Sequence, residues 1–263
     1  MTSASLFDMT SRVGLVTGAA GGLGFAMAEA IAEQGARVVL TDIDREGLES
    51  AVSKLAARGL DCSAKYLDVS DIDSIEPAIA GIHAVAGRLD IVFANAGISA
   101  GPGPFTEAGA IDAVPKDRWT KVIDINLNSV FATMQNAARV MKAQRSGRII
   151  VTASTAAFRA DPMVGYAYSA TKAAVANLVR QAATELAPHN VYVNAIAPGP
   201  FRTNIGNGRM RLTETERDFA DSLPLGRIGE PREIKGAAIL LASDAGSFMT
   251  GAVVPVDGGA LAW

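Results

Sequence analysis

The stretch VGLVTGAAGGLG, residues 13–24, decides how the chain folds. Val13 to Thr17 is short, rich in β-branched residues and uncharged, the pattern of a strand buried on both faces. Thr17 to Gly24 follows with glycines at 18, 22 and 24, and the chain then enters FAMAEAIAEQ, whose apolar residues recur at helical spacing. A turn free of Cβ atoms between strand and helix lets backbone N–H groups and the helix N-terminus approach a pyrophosphate. A plain tight turn needs glycines too. Phosphate binding is favoured here by position, after the first strand and before an alanine-rich helix.

The alternation repeats along the chain. ARVVLT (36–41), LDIVFA (89–94), GRIIVTA (147–153), VYVNAI (191–196) and AVVPV (252–256) read as further buried strands, and another strand precedes Leu67. REGLESAVSKLAAR and AAVANLVRQAATEL, lying between them, have helical periodicity. Strand and helix in alternation predict an α/β fold: a doubly wound parallel sheet with helices on both faces and right-handed crossovers. With 263 residues and no linker-like stretch, 1–263 is expected to be one domain. Ligands bind such sheets at the carboxyl ends of the strands, so site residues belong there.

Composition argues against several classes. A formal net charge of −3 and a pI near 5.5 supply no field for nucleic acid or anionic lipid. Cys62 is the single cysteine, so no intrachain disulfide forms and a reducing, cytoplasmic setting is expected. His83 and His189 lie far apart without cysteine company, and no metal site is expected. MTSASLFDMTSR lacks the basic flank and apolar run of a secretory leader. No apolar segment approaches the roughly 18 residues of a membrane helix.

At the strand ends, Asp42 stands eighteen residues past Gly24. A carboxylate at this point accepts hydrogen bonds from adenosine ribose hydroxyls and repels a 2′-phosphate, which predicts NAD rather than NADP. Arg45 is close enough in sequence to offset that repulsion, and a helix cap or solvated carboxylate is the simpler role for Asp42. Leu67, Asp68 and Val69 follow the next strand, where Asp68 either meets the adenine amino group or closes a turn. In YAYSATK, residues 166–172, Tyr168 and Lys172 are four apart and share a helix face, whereas Tyr166 and Lys172 are six apart and do not. A phenol with an ammonium one turn away is expected to titrate below its free value of about 10.

In this order the pieces resemble the short-chain dehydrogenase/reductase family over essentially the whole chain. TGAAGGLG looks like its cofactor loop, Asn95-Ala96-Gly97 like its N-A-G turn, and YSATK like its Tyr-x-x-x-Lys; Asn126 in DINLNSVF, Pro198-Gly199 with Thr203, and the terminal VDGG also match. The resemblance implies a Rossmann-type fold and hydride exchange between NAD and a carbinol carbon. It makes Tyr168 the acid/base, Lys172 the group that lowers its pKa and holds the nicotinamide ribose, and Asn126 the keeper of a water relay. It implies cofactor contacts from Thr17, Gly18, Gly22, Leu23, Gly24, Asp42, Asp68, Val69, Asn95, Ala96, Gly97, Tyr168, Lys172, Pro198, Gly199 and Thr203. The family serine that orients the substrate oxygen stands thirteen residues before the tyrosine, which is Thr155 here; counted from the fifth strand it is Ser154. Ser154 is preferred, because a strand end fixes its place while loops absorb insertions. Tyr166 is expected to line the pocket or pack within it.

ISAGPGPFTEAGAIDAVPKDR, between Gly97 and Trp119, is too rich in glycine and proline for a regular helix through its first part and reads as a loop rimming the site. A substrate loop of about 199–225 follows Pro198, with Gly206 and Gly208 as hinges and Arg202, Arg209 and Arg211 either meeting an acidic substrate or facing solvent. Arg145 and His189, the positions matching a carrier-protein docking pair near the entrance, make a weak landing site. The expected activity is therefore oxidation of a polyol, sugar alcohol or small cyclic alcohol, ahead of 3-oxoacyl-[acyl-carrier-protein] reductase-like or hydroxysteroid activity. A non-catalytic dinucleotide-binding regulator is expected to lack one of Asn126, Ser154, Tyr168 and Lys172, and all four are present. The resemblance further implies a homotetramer or dimer built on the helices ending near Arg145 and Pro188, with Trp263 packed in its own subunit or a neighbour.

Overall fold

The computed structural model describes residues 2–203 and 213–262. Gly206, Gly208, Arg209, Arg211 and Trp263 lie outside the described residues. Seven parallel strands form one sheet: β1 Val13–Thr17, β2 Arg37–Asp42, β3 Cys62–Tyr66, β4 Ile91–Ala94, β5 Gly147–Thr152, β6 Val191–Pro198 and β7 Val253–Val256. Their order is β3-β2-β1-β4-β5-β6-β7. The chain winds outward from β1 to β3, then crosses to β4 and winds the other way. The β1–β4 boundary is thus the switch point at which such sheets open a crevice.

Successive residues of a strand face opposite sides, and β1 divides its side chains accordingly. Leu15 joins one buried cluster with Ile79, Val130, Val175 and Val179, while Val16 joins the other with Ile31, Leu55 and Leu241. The first cluster is capped by α3 Ile75–Ala86, α5 Ser129–Gln144 and α6 Tyr166–Leu186, the second by α1 Gly22–Glu33, α2 Arg45–Ala56 and α8 Lys235–Ala242. Each fully buried leucine, isoleucine or valine of these layers contributes roughly 1.5–3 kcal/mol by leaving water.

Two strands depart from the expected bounds by two residues, for visible reasons, and β2, β5 and β7 by one at one or both ends. β4 begins at Ile91 rather than Leu89, because Asp90 is a buried clamp: its carboxylate accepts the Val13 N–H at 2.8 Å and two bonds from Arg88 at 2.7 Å. β6 runs two residues further, to Pro198, which pairs opposite Val256. β3 sits at the sheet edge with mixed exposure, so it carries little of the apolar signal that marks the central strands. Further along, α4 Lys116–Ile123 runs through a π-helical turn, Asp124–Asn128, directly into α5. No described helix is long and apolar enough to cross a membrane.

Candidate active site

Three strand ends are tied together before any ligand is considered. The Thr17 hydroxyl accepts the N–H groups of Asn95 and Ala96 at 3.0 Å each and donates to the Phe93 carbonyl at 3.3 Å. Asn95 Nδ2 donates to the carbonyls of Thr17 and Gly18 at 2.9 and 3.1 Å, and its Oδ1 accepts the Thr152 hydroxyl at 2.9 Å. Thr17 and Asn95 therefore fasten β1, β4 and β5 at their carboxyl ends. Thr17 is buried behind the wall of the crevice, while Asn95 reaches its lining.

The crevice is a cavity of about 1450 Å³. Its floor is the glycine turn, which brings the β1 exit against the start of α1. A Cβ on Gly24 would lie 2.1 Å from the Gly18 carbonyl oxygen, and Gly22 has φ +57°, so neither position takes a side chain without strain. Helix α1 starts at Gly22 after Gly21, and no side chain caps it. Its first N–H groups have no intrahelical partner and meet a cavity lined by Gly21, Gly22, Leu23 and Gly24, the arrangement a pyrophosphate requires. A dinucleotide fits the residues present.

At one end of the cavity, Asp42 accepts the N–H of Ala20 at 2.9 Å and that of Asp44 at 3.0 Å, which holds the carboxylate against the glycine turn. Arg45 is turned away: its guanidinium stacks on the Tyr66 ring at 3.6 Å. Asp68 closes a turn by accepting the Ser70 N–H and hydroxyl at 2.9 and 2.7 Å, and it lines the cavity with Leu67 and Val69. The turn reading of Asp68 thus holds, at a position on the cavity lining.

At the other end stand Tyr168 and Lys172, on one face of α6 as the spacing predicts, with Nζ 5.5 Å from the ring centroid. Lys172 is buried and donates to the Thr152 carbonyl at 2.7 Å. Burial pushes its ammonium down to about 8. The expected lowering of Tyr168 does not occur: burial pushes the phenol above its ordinary value, a hydrogen bond with Ser154 draws it back in part, and the charge of Asp161 pushes it up further. Loss of water around the phenol outweighs the lysine one turn away.

Of the two candidate hydroxyls, Ser154 is the one that draws the Tyr168 phenol down; it also accepts the Ala156 N–H at 3.2 Å. Thr155 lines the same cavity and opens a short 3₁₀ turn. Asn126 is fully buried in the π-helical turn and does not line the cavity. Its Oδ1 accepts the Ile98 N–H and its Nδ2 donates to the Ile98 carbonyl, both at 2.8 Å, which fixes the chain after Gly97. Ala96, Gly97, Pro198, Gly199 and Thr203 line the wall between the two ends, with Gly18 beneath.

Three expectations are corrected. Tyr166 is 38% exposed at the helix start and does not line the cavity. Arg202 is not free for a substrate anion, being bonded to both oxygens of Glu216 and to Glu230. Arg145 and His189 precede β5 and β6, joined through the Asn190 bond to the Arg145 carbonyl at 3.1 Å, so in one chain they sit at the sheet edge opposite the cavity. Sequence reading missed Thr152, which takes both Asn95 and Lys172, although its place at the end of β5 was signal enough. It also missed Asp161, in the connection between β5 and α6, and Phe219, on the helix Thr213–Asp221, neither of which belongs to a motif.

Residues 18–260 match the family model described as "Enoyl-(Acyl carrier protein) reductase". The chain is 36% identical to gluconate 5-dehydrogenase of Gluconobacter oxydans, over 98% of each. It is also 36% identical to a rhamnolipid-biosynthesis 3-oxoacyl-[acyl-carrier-protein] reductase of Pseudomonas aeruginosa, over 96% of this chain and 97% of the relative. A solved gluconate 5-dehydrogenase from Burkholderia cenocepacia, in complex with NADP and tartrate, superposes with a TM-score of 0.91 at 31% identity, covering 100% of both chains. With its glycine turn, seven-stranded sheet and Tyr168–Lys172 helix in place, the chain belongs to the short-chain dehydrogenase/reductase family of oxidoreductases.

Proposed function

We propose that the protein is an NAD-dependent oxidoreductase that interconverts a polyol, sugar alcohol or small cyclic secondary alcohol and its ketone. The meeting of Ser154 and Tyr168 in one cavity, beside the buried ammonium of Lys172, carries this reading. When bound, NAD supplies the hydride acceptor. The substrate hydroxyl shares its two hydrogen bonds between Ser154, which orients it, and Tyr168, which takes its proton in oxidation and returns one in reduction. Phenolate forming in a dry site is stabilised by the Lys172 charge more strongly than it would be in water. Lys172 also holds the nicotinamide ribose, and Asn126 secures the wall past which protons reach solvent. Glycines 18, 22 and 24 and the N-terminus of α1 receive the pyrophosphate.

Asp42 supports NAD over NADP, because its carboxylate faces the place of the ribose hydroxyls while Arg45, stacked on Tyr66, leaves it unopposed. The Burkholderia relative holds NADP, so cofactor choice needs its own measurement. The deciding experiment is NADH formation across polyols, cyclic alcohols, hydroxysteroids and hydroxy acids, with Tyr168→Phe alongside. Turnover is expected with one class, absent in Tyr168→Phe although NADH still binds. Full activity in Tyr168→Phe would sink the assignment.

The Pseudomonas relative favours a second reading, reduction of a carrier-bound 3-oxoacyl group. Arg145 and His189 weaken it, lying at the opposite sheet edge from the cavity of their own chain. Activity with a carrier-bound 3-oxoacyl substrate and NADPH, but with no free alcohol, would establish it instead. The assembly we propose is a homotetramer, built in part on the α5–α6 face where Phe131 is 49% exposed near Leu178 and Asn177; light scattering on the purified protein gives the subunit number.

A further inference from the structure

We propose that Asp161 selects an uncharged, hydroxyl-rich substrate and rejects the corresponding carboxylate. The inference rests on the proposed alcohol oxidation and deepens it. Asp161 lies in the segment between β5 and α6 and lines the cavity with Ser154, Thr155, Val164 and Tyr168. Its Oδ1 accepts the Met163 N–H at 2.8 Å, so the carboxylate is held rather than free to swing away. A carboxylate has about four acceptor positions, and those not used by Met163 remain for substrate hydroxyls.

The glycine- and proline-rich segment after Gly97 explains why Asp161 stays in place. A Cβ on Gly103 would lie 1.8 Å from the Pro162 carbonyl oxygen, and one on Gly165 would lie 3.1 Å from that of Ala100. The two loops are therefore pressed backbone to backbone, and the loop that rims the site buttresses the turn that carries the acid.

Charge within the cavity points the same way. Its described lining holds six aspartates, Asp42, Asp44, Asp68, Asp117, Asp124 and Asp161, against three lysines, Lys116, Lys121 and Lys172. Asp117 and Asp124 equal in number the two lysines of the α4 segment, and Lys172 is bonded to the Thr152 carbonyl. Tyr168 is faced by Ser154, by Lys172 and by Asp161, and it packs in one apolar cluster with Ile98, Ala100, Val122 and Ala167. A substrate carboxylate beside the reacting carbon would thus meet Asp161 with like charge in a partly dried site, whereas a neighbouring hydroxyl would donate to it.

The test compares xylitol with xylonate in wild type, Asp161→Asn and Asp161→Glu. Wild type is expected to favour xylitol in kcat/KM. Asp161→Asn should raise the KM for xylitol severalfold, cut the preference by about tenfold or more, and move the acid limb of the oxidation profile to lower pH, because removing the anion makes Tyr168 easier to ionise. Asp161→Glu should keep the preference. A wild-type preference for xylonate, or an unchanged ratio and acid limb in Asp161→Asn, would overturn the inference. If wild type oxidises no alcohol, the proposed function has failed separately, and equilibrium binding of the two probes to NADH-loaded protein decides. Xylitol bound more tightly than xylonate, with the difference lost in Asp161→Asn, upholds selection by Asp161. Equal binding, or none, refutes it.

Discussion

Asn126 holds the backbone of Ile98 from both sides, accepting its N–H and donating to its carbonyl at 2.8 Å each. The pair joins the π-helical turn between α4 and α5 to the segment leaving β4, so one buried side chain sets the spacing between two walls of the site. Asn126→Ala leaves both Ile98 groups without that partner. We expect a loss of about 2–6 kcal/mol, from two polar groups at roughly 1–3 kcal/mol each, together with a large fall in kcat. Urea denaturation and initial rates check it; a stability change under about 0.5 kcal/mol would mean that water replaces the amide.

Lys172 makes a prediction of opposite sign for stability. Burial pushes its ammonium down to about 8 in the folded protein, against about 10.5 for the free side chain in the unfolded one. Between those values the unfolded chain binds the proton more tightly, so the contribution of Lys172 to stability rises with pH through that window and is unfavourable at neutral pH. The full difference is about 3 kcal/mol. Lys172→Met should therefore be more stable than wild type at pH 7 while losing activity, and the gap should narrow by pH 10. Denaturation of both proteins at the two pH values tests this; a mutant less stable at pH 7 would show that the bond to Thr152 outweighs desolvation.

The fold and the site were legible to different depths. Central strands such as β1 and β5 are buried on both faces, and so their apolar runs stand out without any knowledge of partners. The i, i+4 pairing of Tyr168 with Lys172 follows from helix geometry alone, and the side of the sheet follows from winding rules. The titration of Tyr168 did not follow, because a spacing reports who is near but not how much water is lost. Neither reading of Arg202, meeting an acidic substrate or facing solvent, anticipates its ion pairs, because its partners, Glu216 and Glu230, come from segments fourteen and twenty-eight residues away. Asp161 had no periodic neighbourhood to mark it, and only the packing of two loops puts it beside Tyr168.

Cofactor choice is tested by Asp42→Asn, which removes the charge while leaving an oxygen to accept the Ala20 N–H. Wild type is expected to use NAD well and NADP poorly, since a carboxylate within a few ångströms of a 2′-phosphate costs several kilocalories when partly dried. The NAD:NADP ratio of kcat/KM should fall by about a hundredfold in the mutant. Stability should fall only slightly, because the Asp44 N–H that loses its acceptor is exposed to water. If the ratio stays put, or wild type already prefers NADP, then Asp42 serves only to fasten the glycine turn.

Arg202 links the end of β6 to two later segments, donating from its two terminal nitrogens to Glu216 of α7 (Thr213–Asp221) and from Nε to Glu230 at 2.9 Å. Phe219 of the same helix lines the cavity, so the position of α7 helps define the space open to substrate. Arg202→Gln keeps hydrogen-bonding capacity but removes the charge that engages two carboxylates at once. The expected result is a rise of roughly three- to tenfold in the KM for the alcohol with little change in that for NAD, because such a network is partly exposed and each bond is weak. Wild type should drift in the same direction as salt is raised, and the mutant should not, since screening acts on the pairs that the mutant lacks. Faster proteolytic cleavage within α7 of the mutant would place the effect in that helix. An unchanged KM at every salt concentration would leave Arg202 as a surface ion pair with no part in shaping the pocket.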